Sequence, residues 1–415
     1  MDPSAGKAEP LAPRARSLAA ALAALRDGSW LTTERRRLVC WLVLLASALL
    51  LFGLHATARG LLDGFGRPLG TDYSQGWVAG RAALAGDPAG PYDHALHWAR
   101  QKEAFGPEAE FYGWYYPPTF LLPSAALALL PYWPSLLVWL AATLALYAAT
   151  VRSILPGREA LLVALAFPAV FINAGHGNNA FLTTALIGGG LVLLPRRPVL
   201  AGLLFGLVSY KPQFGILLPL ALLAAGSWRT LASAAASTLL LAAASVALFG
   251  WAPWQAFVDG LAFTRKVVLE EGGVGFHRLQ SAFAAVRLPG GSVALASLAQ
   301  AAVTLAMAAF VWAAWRRPLD PRLKGAILIV ASLLATPYLF DYDLVLLAVA
   351  GAFWVSLGLE RGFRPWEISA LAAAWAMPLV ARTMAEATHV PLGFLVLLAL
   401  AGLLARRLSE ASAQG

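Results

Sequence analysis

The chain has 415 residues, of which 59% are hydrophobic and only 13% are charged. This composition excludes an ordinary soluble domain, in which about a quarter of the residues are charged. In a soluble chain the formal net charge of +9 would suggest nucleic acid, but here the basic residues form short clusters between apolar runs. Such clusters are typical of membrane topology, so we expect no nucleic-acid partner. The single cysteine, Cys40, excludes an intramolecular disulfide and a cysteine metal cluster.

Residues 1–34 are predicted to form a cytoplasmic tail, and residues 35–408 a single polytopic domain followed by a cytoplasmic tail at 409–415. Apolar segments long enough to be spans or half-spans lie near residues 38–58, 117–130, 134–151, 159–174, 179–195, 198–210, 213–226, 229–250, 296–314, 325–339, 343–358, 368–382 and 391–406. Several are shorter than the roughly 20 residues that cross a bilayer, and many contain Pro or Gly. We therefore predict an all-α integral membrane protein, a multi-pass helical bundle with about 11–13 membrane segments.

Only two polar loops are long, 59–116 and 251–295. Cytoplasmic loops carry an excess of Lys and Arg, and the basic clusters at 35–37, 196–197 and 406–407 therefore place both termini in the cytoplasm. Both long loops then lie on the external face of the cell (inner) membrane. An odd number of crossings cannot leave both termini inside, so one short segment is expected to be re-entrant, fused or flat.

The first long loop, 59–116, holds the acidic residue that we single out. Asp72 follows soon after the first apolar run and is expected near the membrane surface. A carboxylate there could act as a general base for an acceptor hydroxyl, although capping a helix is the commoner use of Asp. Tyr73 and Trp77 follow within about one and a half turns and are candidate substrate contacts. The loop ends in FYGWYYPPTF, where Trp114, Tyr115 and Tyr116 are predicted to form an interfacial aromatic belt.

Lys211, in VSYKPQFG, is the most informative basic residue. A straight helix rising about 1.5 Å per residue from Arg197 would place it roughly 20 Å into the bilayer. A lysine at such depth is costly unless it faces a polar cavity or a partner charge. We predict a cation at the base of an external cavity, suited to a phosphate, with Gln213 as a nearby substrate contact. A lysine that snorkels to the interface is the open alternative.

Polar side chains cluster at two further external turns. In INAGHGNNAFLTT, His176, Asn178 and Asn179 could hydrogen-bond the hydroxyl groups of a sugar, or could cap helices and bind water. In ATPYLFDYDLVLL, Asp341 and Asp343 flank a tyrosine, and a capping turn accounts for one of these two aspartates better than for both. We include all five among the candidate substrate contacts.

The second long loop, 251–295, carries basic residues on the external side, against the usual bias. His277 and Arg278 are candidates for binding a phosphate or an anionic lipid, and Gln280 is a candidate substrate contact. No cluster of metal ligands or Gly-rich nucleotide motif is evident. A divalent metal beside Asp72 is compatible with the sequence but not required by it, and we identify no certain cofactor.

Taken in order, several of these stretches resemble the multi-pass glycosyltransferases of the GT-C superfamily, and most closely glycosyltransferase family 87. They are TDYSQGWVAGRAALAGDPAGPYD, YYPPTFLLPSAALALLP, NAGHGNN and YKPQFGILLPLALL, and more weakly HRLQSAF and ATPYLFDYD. Two stretches depart from the family pattern. GHGNN has His176 where the family commonly has Gly-Gln-x-Asn, and YLFDYD stands where an aromatic and histidine pair is usual.

The resemblance implies a GT-C-like fold and a hexosyltransferase that takes a sugar, mannose in some members, from a polyprenyl phosphate. The acceptor would be a lipid or glycan of the cell envelope, and membrane lipids would surround the protein. It implies an external catalytic aspartate, for which Asp72 is the matching position. It also suggests Lys211, His277 and Arg278 near the donor phosphate.

Two other functions stay open at this point. A transporter or flippase would use Lys211 and the broken helices to bind an anionic or lipid-linked substrate in the membrane. Transporters often have paired halves, and no internal symmetry is evident here. A glycan polymerase or ligase would share the external site but would use a lipid-diphosphate donor.

Overall fold

The computed structural model describes residues 13–413, with the side chains of 18–410. Every regular element in this part of the chain is a helix, and extended pairing is limited to three isolated bridges. Six helices are long and apolar enough to cross a membrane, or up to eight if each of two bent pairs is one span. The prediction of an all-α, multi-pass membrane protein is confirmed.

Twenty-one α-helices form the described structure. The first seven are α1 Pro13–Asp27, α2 Thr33–Ala56, α3 Thr71–Leu84, α4 His94–Phe105, α5 Leu121–Ala128, α6 Tyr132–Ile154 and α7 Arg158–Leu165. The next seven are α8 Pro168–His176, α9 Ala180–Leu193, α10 Pro198–Leu207, α11 Pro212–Gly215, α12 Leu218–Ala224, α13 Trp228–Phe249 and α14 Ala252–Arg265. The last seven are α15 Ala282–Arg287, α16 Val293–Trp315, α17 Pro321–Ala335, α18 Leu346–Arg361, α19 Glu367–Ala376, α20 Ala381–Thr388 and α21 Leu392–Ala413.

Several predicted membrane segments are half-length or bent helices. α7 and α8 meet at an angle of 53°, and α19 with its following 3-10 turn meets α20 at 70°. The shorter apolar helices are Pro118–Ala128, Ala180–Leu193, Pro198–Tyr210 and Pro212–Ala224. Counting such pieces one by one explains why the predicted number of segments exceeds the number of full-length spans.

The two long loops contain helices that the hydropathy pattern did not indicate. α3 and α4 lie within 59–116, and α14 and α15 lie within 251–295. Gly70 allows the chain to turn into α3, since its φ of +72° lies in the left-handed region. Asp93 caps α4 by accepting a hydrogen bond from the Leu96 amide at 3.1 Å. These loops are therefore folded, and α3 begins at a fixed point just before Asp72.

α10 and α13 run side by side in the same direction. Ser233 donates to the Val199 carbonyl at 2.7 Å, and Ser237 donates to the Leu203 carbonyl at 3.0 Å. Because the two helices are parallel, the chain between them must travel back along the bundle. It turns at Lys211, where α10 and its following 3-10 turn end and Pro212 begins α11.

The helices end at two opposite sides of the molecule. We call the side that carries the basic clusters the basic end, and the side that carries Asp72 and Lys211 the site end. Three contacts join the basic end: Arg37 with Glu159 at 2.7 Å, Trp30 with Ser369 at 2.7 Å and Arg407 with Glu367 at 2.5 Å. They bring together the starts of α2, α7 and α19 and the last part of α21. The starts of α3, α9 and α18 and both long loops lie at the opposite end of the same helices, as the charge pattern predicted.

Gly80 lets α3 lie directly against α5. A β-carbon at this position would stand 2.1 Å from the Ser124 carbonyl oxygen, so any side chain forces the two helices apart. We expect Gly80→Ala to destabilise the protein by about 1–3 kcal/mol through overpacking. Gly76→Ala is the matched control, because its β-carbon would make an ordinary contact at 3.7 Å. Thermal unfolding in detergent tests this, and equal melting temperatures for the two variants would contradict it.

Candidate functional site

Asp72 is the second residue of α3, and its side chain faces another part of the chain. Its Oδ2 accepts a hydrogen bond of 2.8 Å from Nδ2 of Asn178, which lies between α8 and α9. The cap of α3 is Gly70, which makes no side-chain cap bond. In the structure, Asp72 therefore does not serve as the helix cap, the commoner alternative. A carboxylate in the first turn is also favoured by the helix dipole.

A buried chain of polar contacts continues from Asn178. Its Oδ1 accepts a hydrogen bond of 3.2 Å from Nζ of Lys211, and Nζ also pairs with Oδ1 of Asp343 at 2.7 Å. The side chains of Lys211 and Asp343 are only 4% and 3% exposed. Lys211 therefore does not snorkel. It is compensated by a partner carboxylate, which is the condition under which a deeply buried lysine is tolerated.

Asp343 is held by its own turn, a 3-10 turn over Asp341–Val345. Its Oδ2 accepts a hydrogen bond of 3.3 Å from the Phe340 amide. The neighbouring aspartate, Asp341, turns to a different set of groups. Its Oδ2 lies 3.9 Å from Nη1 of Arg382 in α20, and the charges of His176, Arg382 and Arg278 act on it. Asp341 and Asp343 thus have separate partners. A turn that needed only one capping aspartate would not require the second.

Three basic side chains gather near Asp341: His277, Arg278 and Arg382. The 3-10 turn Phe276–Arg278 packs on α20, which brings the second long loop to Arg382. Burial lowers the pKa of His277, and the nearby guanidinium groups of Arg382 and Arg278 lower it further, against Glu386 and Asp341. The imidazole is therefore neutral at pH 7, so the positive charge of the cluster belongs to its arginines.

Arg382 is the residue of this cluster that sequence reasoning missed. It lies in α20, after the bend that follows α19, at the site end of the molecule. A signal for it exists in the sequence, because the other arginines near the C-terminus, such as Arg361 and Arg407, cluster at the basic end. Because most arginines of a membrane protein lie on the cytoplasmic side, an arginine predicted at the other side is a candidate site residue, as the basic residues of the second long loop are.

A small cleft, part of it open to solvent, lies beside Asp72. Its lining is mostly aromatic and apolar, and comprises Asp72, Tyr73, Gly76, Trp77, Tyr116, Phe120, Pro123, Ser124, Leu127, Trp139, Gly177, Asn178 and Asn179. Among the described residues that line it, Asp72 is the only carboxylate. Aromatic faces with a few convergent polar groups are typical of small-ligand sites.

The aromatic belt predicted for FYGWYYPPTF is wrong for two of its members. Trp114 is only 1% exposed and stacks on Phe120 at a centroid distance of 6.0 Å. Tyr116 lines the cleft. Burial raises the pKa of Tyr116, and the carboxylates of Asp72 and Asp343 raise it further. The phenol therefore stays neutral and faces the polar network, because the chain folds back into the bundle before Pro118.

The other predicted site residues fall into two groups. Three lie around Asp72: Tyr73 and Trp77 in the cleft lining, and His176, whose Nδ1 is 2.6 Å from Oγ1 of Thr71. The remaining two lie outside the cleft lining. Gln213 is half-buried in α11. Gln280 is buried, and its backbone N–H donates a hydrogen bond of 2.8 Å to the Leu339 carbonyl. Gln280 thereby attaches the second long loop to the turn that carries Asp343.

Asn179 is a buried polar group that faces the cleft. The residue is 3% exposed, and its side-chain Oδ1 has no hydrogen-bond partner among the described residues. A buried amide oxygen is costly to leave unpaired, so it is suited to accept from a ligand hydroxyl. No group of three or more His, Cys, Asp or Glu side chains within residues 13–413 is arranged to hold a metal ion.

Comparison with known proteins identifies a family for the chain. The model of glycosyltransferase family 87 matches residues 114–337, which include Asn178, Lys211 and Arg278. No curated protein and no solved structure matches the chain. The family match covers more than half of the 415 residues and agrees with the resemblance read from the motifs. The chain belongs to glycosyltransferase family 87.

Proposed function

We propose that this protein transfers a hexose, mannose in the first instance, from a polyprenyl-phosphate-sugar to a hydroxyl of an envelope lipid or glycan. The reaction would take place at the external face of the inner membrane, with Asp72 as the general base. The observation that carries the proposal is that Asp72 is the one carboxylate among the described residues that line an aromatic cleft. Family membership supports glycosyl transfer, and the geometry supports this assignment of roles.

The proposed reaction is a single displacement at the sugar C1. Asp72 takes the proton of the acceptor hydroxyl while the acceptor oxygen forms a bond to C1. The bond between C1 and the phosphate oxygen breaks, the configuration at C1 inverts, and polyprenyl phosphate leaves with the electron pair. Asp72 Oδ2 is engaged by Asn178, so Oδ1 is the oxygen that we assign to the acceptor proton.

The charge that develops on the leaving phosphate needs nearby cations. Arg278 and Arg382 supply two permanent positive charges close to each other and to Asp341. His277, neutral at pH 7, supplies a hydrogen bond. We therefore assign the donor phosphate to these three side chains, which are carried by the second long loop and by α20.

The aromatic cleft is suited to a sugar ring. Trp77, Phe120 and Trp139 are among the side chains that line it, and we propose that this aromatic lining packs against the C–H face of a pyranose. Asn179 offers an unpaired amide oxygen to a hydroxyl. The proposal thus divides the site into an aromatic part for sugar and a cationic part for phosphate, with Asp72 facing the first.

A direct test compares donors on membranes from a deletion strain with and without the protein. We expect radiolabel from polyprenyl-phosphate-mannose to enter a lipid or glycan product only when the protein is present. Nucleotide-linked mannose is the control for a soluble-type donor, and a lipid-diphosphate sugar tests the polymerase alternative. Transfer from the diphosphate donor alone, or no transfer from any of them, would contradict the proposal.

The transporter or flippase alternative predicts a different result in the same strain. It needs Lys211 free to bind an anion, but in the structure Lys211 is paired with Asp343. A transporter would leave the lipid-linked sugar intact and change only its distribution across the membrane. The lipid and glycan inventory of the deletion strain therefore separates the two, because only a transferase loses a glycosylated product.

A further inference from the structure

We infer that Lys211 and Asp343 form a positioning pair that fixes Asp72 through Asn178, and that Lys211 does not contact the donor phosphate. This inference rests on the proposed function of Asp72 as the base. It changes the role of the lysine, because the sequence alone favoured a phosphate contact. The contacts that carry it form one continuous path: Asp343 to Lys211 to Asn178 to Asp72.

The first step concerns the direction of the Asn178 amide. An amide offers one acceptor and one donor side, whereas an ammonium group only donates. Lys211 Nζ lies 3.2 Å from one end of the amide, so that end must be the oxygen. The other end, 2.8 Å from Asp72 Oδ2, must then be the NH₂ group. Lys211 thereby ensures that Asn178 donates to the base.

The second step concerns what Lys211 has left to offer a ligand. Asp343 neutralises its charge at 2.7 Å, and only 4% of its side chain is exposed. The rings of Tyr342 and Phe214 lie 5.5 and 5.6 Å from Nζ, so the ammonium is enclosed by aromatic faces. A phosphate would have to displace the Asp343 carboxylate to reach it. Near Asp341 the pairing is looser, since Nη1 of Arg382 lies 3.9 Å from the Asp341 carboxylate.

The third step concerns why the base needs fixing. A carboxylate that accepts a proton in a transition state must stand at the acceptor hydroxyl, and a displacement of about 1 Å can lower a rate about a hundredfold. Asp72 is partly exposed at the cleft, so solvent does not hold it in one rotamer. The buried Asn178 holds one of its oxygens, and the ion pair holds Asn178.

The experiment is a double-mutant cycle on the activity of the full-length protein, with polyprenyl-phosphate-mannose as donor. Lys211→Met/Asp343→Asn removes both charges together, so neither is left buried and unpaired. We expect kcat to fall about tenfold to a hundredfold, with the donor KM within about twofold of the wild-type value. Asn178→Ala should give a similar loss. The triple variant should be no worse than Asn178→Ala, because both changes break the same path.

Arg382→Met is the contrasting variant. It is expected to raise the donor KM about tenfold and also to lower kcat, because the same guanidinium stabilises the charge on the leaving phosphate. Lys211→Arg keeps a donor-only cation and should recover part of the activity. If the losses multiply in the triple variant, or if Lys211→Met/Asp343→Asn raises the donor KM about tenfold as Arg382→Met does, the positioning role is overturned and the phosphate contact is restored. An active Asp72→Asn variant would instead overturn the proposed function, so the two failures are distinguishable.

Discussion

Asp72→Asn is expected to lower the rate of sugar transfer by about a hundredfold to ten-thousandfold, the usual contribution of a positioned general base. Asparagine has nearly the same shape and can still face Asn178, but it cannot take a proton from an acceptor hydroxyl. The measurement is transfer of radiolabelled mannose in membranes, with equal amounts of each variant confirmed by immunoblot.

Asp93→Asn is the matched control for that experiment. Asp93 lies in the same loop and caps α4 through the Leu96 amide, and asparagine is an equally good cap. We expect activity within about twofold of the wild-type value, because a neutral cap keeps α4 in place. Full activity in Asp72→Asn, or an equal loss in both variants, would remove Asp72 from the role of base.

Arg407→Met is expected to destabilise the protein by about 3–5 kcal/mol, because it leaves a buried charge without its partner. Arg407 donates to both carboxylate oxygens of Glu367 at 2.5 Å, and the Glu367 side chain is fully buried. The pair connects the last helix, α21, with the start of α19. Unfolding of the detergent-purified protein, followed by heat or denaturant, measures the change.

Two variants sharpen that prediction. Arg406→Met should cost less than about 1 kcal/mol, because Arg406 is half-exposed and its charge partner, Glu410, lies 3.9 Å away. Arg407→Met combined with Glu367→Gln should recover part of the lost stability, since no charge is then left alone. A destabilisation of Arg407→Met no larger than that of Arg406→Met would show that the pair is not important for stability.

Hydropathy and charge were sufficient to predict the helical membrane fold and the common end of the two long loops. Apolar periodicity depends only on local sequence, and the basic clusters follow a rule that acts on each loop separately. The same signals could not show that loop 59–116 contains α3 and α4, because both helices are short and moderately polar. They also did not show that the predicted segment 159–174 is bent by 53° between α7 and α8.

The sequence predicted several residues of the candidate site but not which of them contact each other. Asp72, Asn178, Lys211 and Asp343 were each singled out as polar groups in costly places, and the structure brings them into one path. Nothing in the sequence shows that Lys211 and Asp343, which are 132 positions apart, are partners. Arg382 was missed because a single arginine after an apolar run resembles an ordinary end of a span.

A backbone hydrogen bond between Gln280 and Leu339 connects the second long loop to the turn that carries Asp343. On one side of the link stands Arg278, in the segment that we assign to the phosphate. On the other side, Phe340 pairs with Leu279 and donates to Asp343. The segment that we assign to the donor phosphate and the turn that carries Asp343, the partner of the buried lysine, are therefore joined directly by a few backbone bonds.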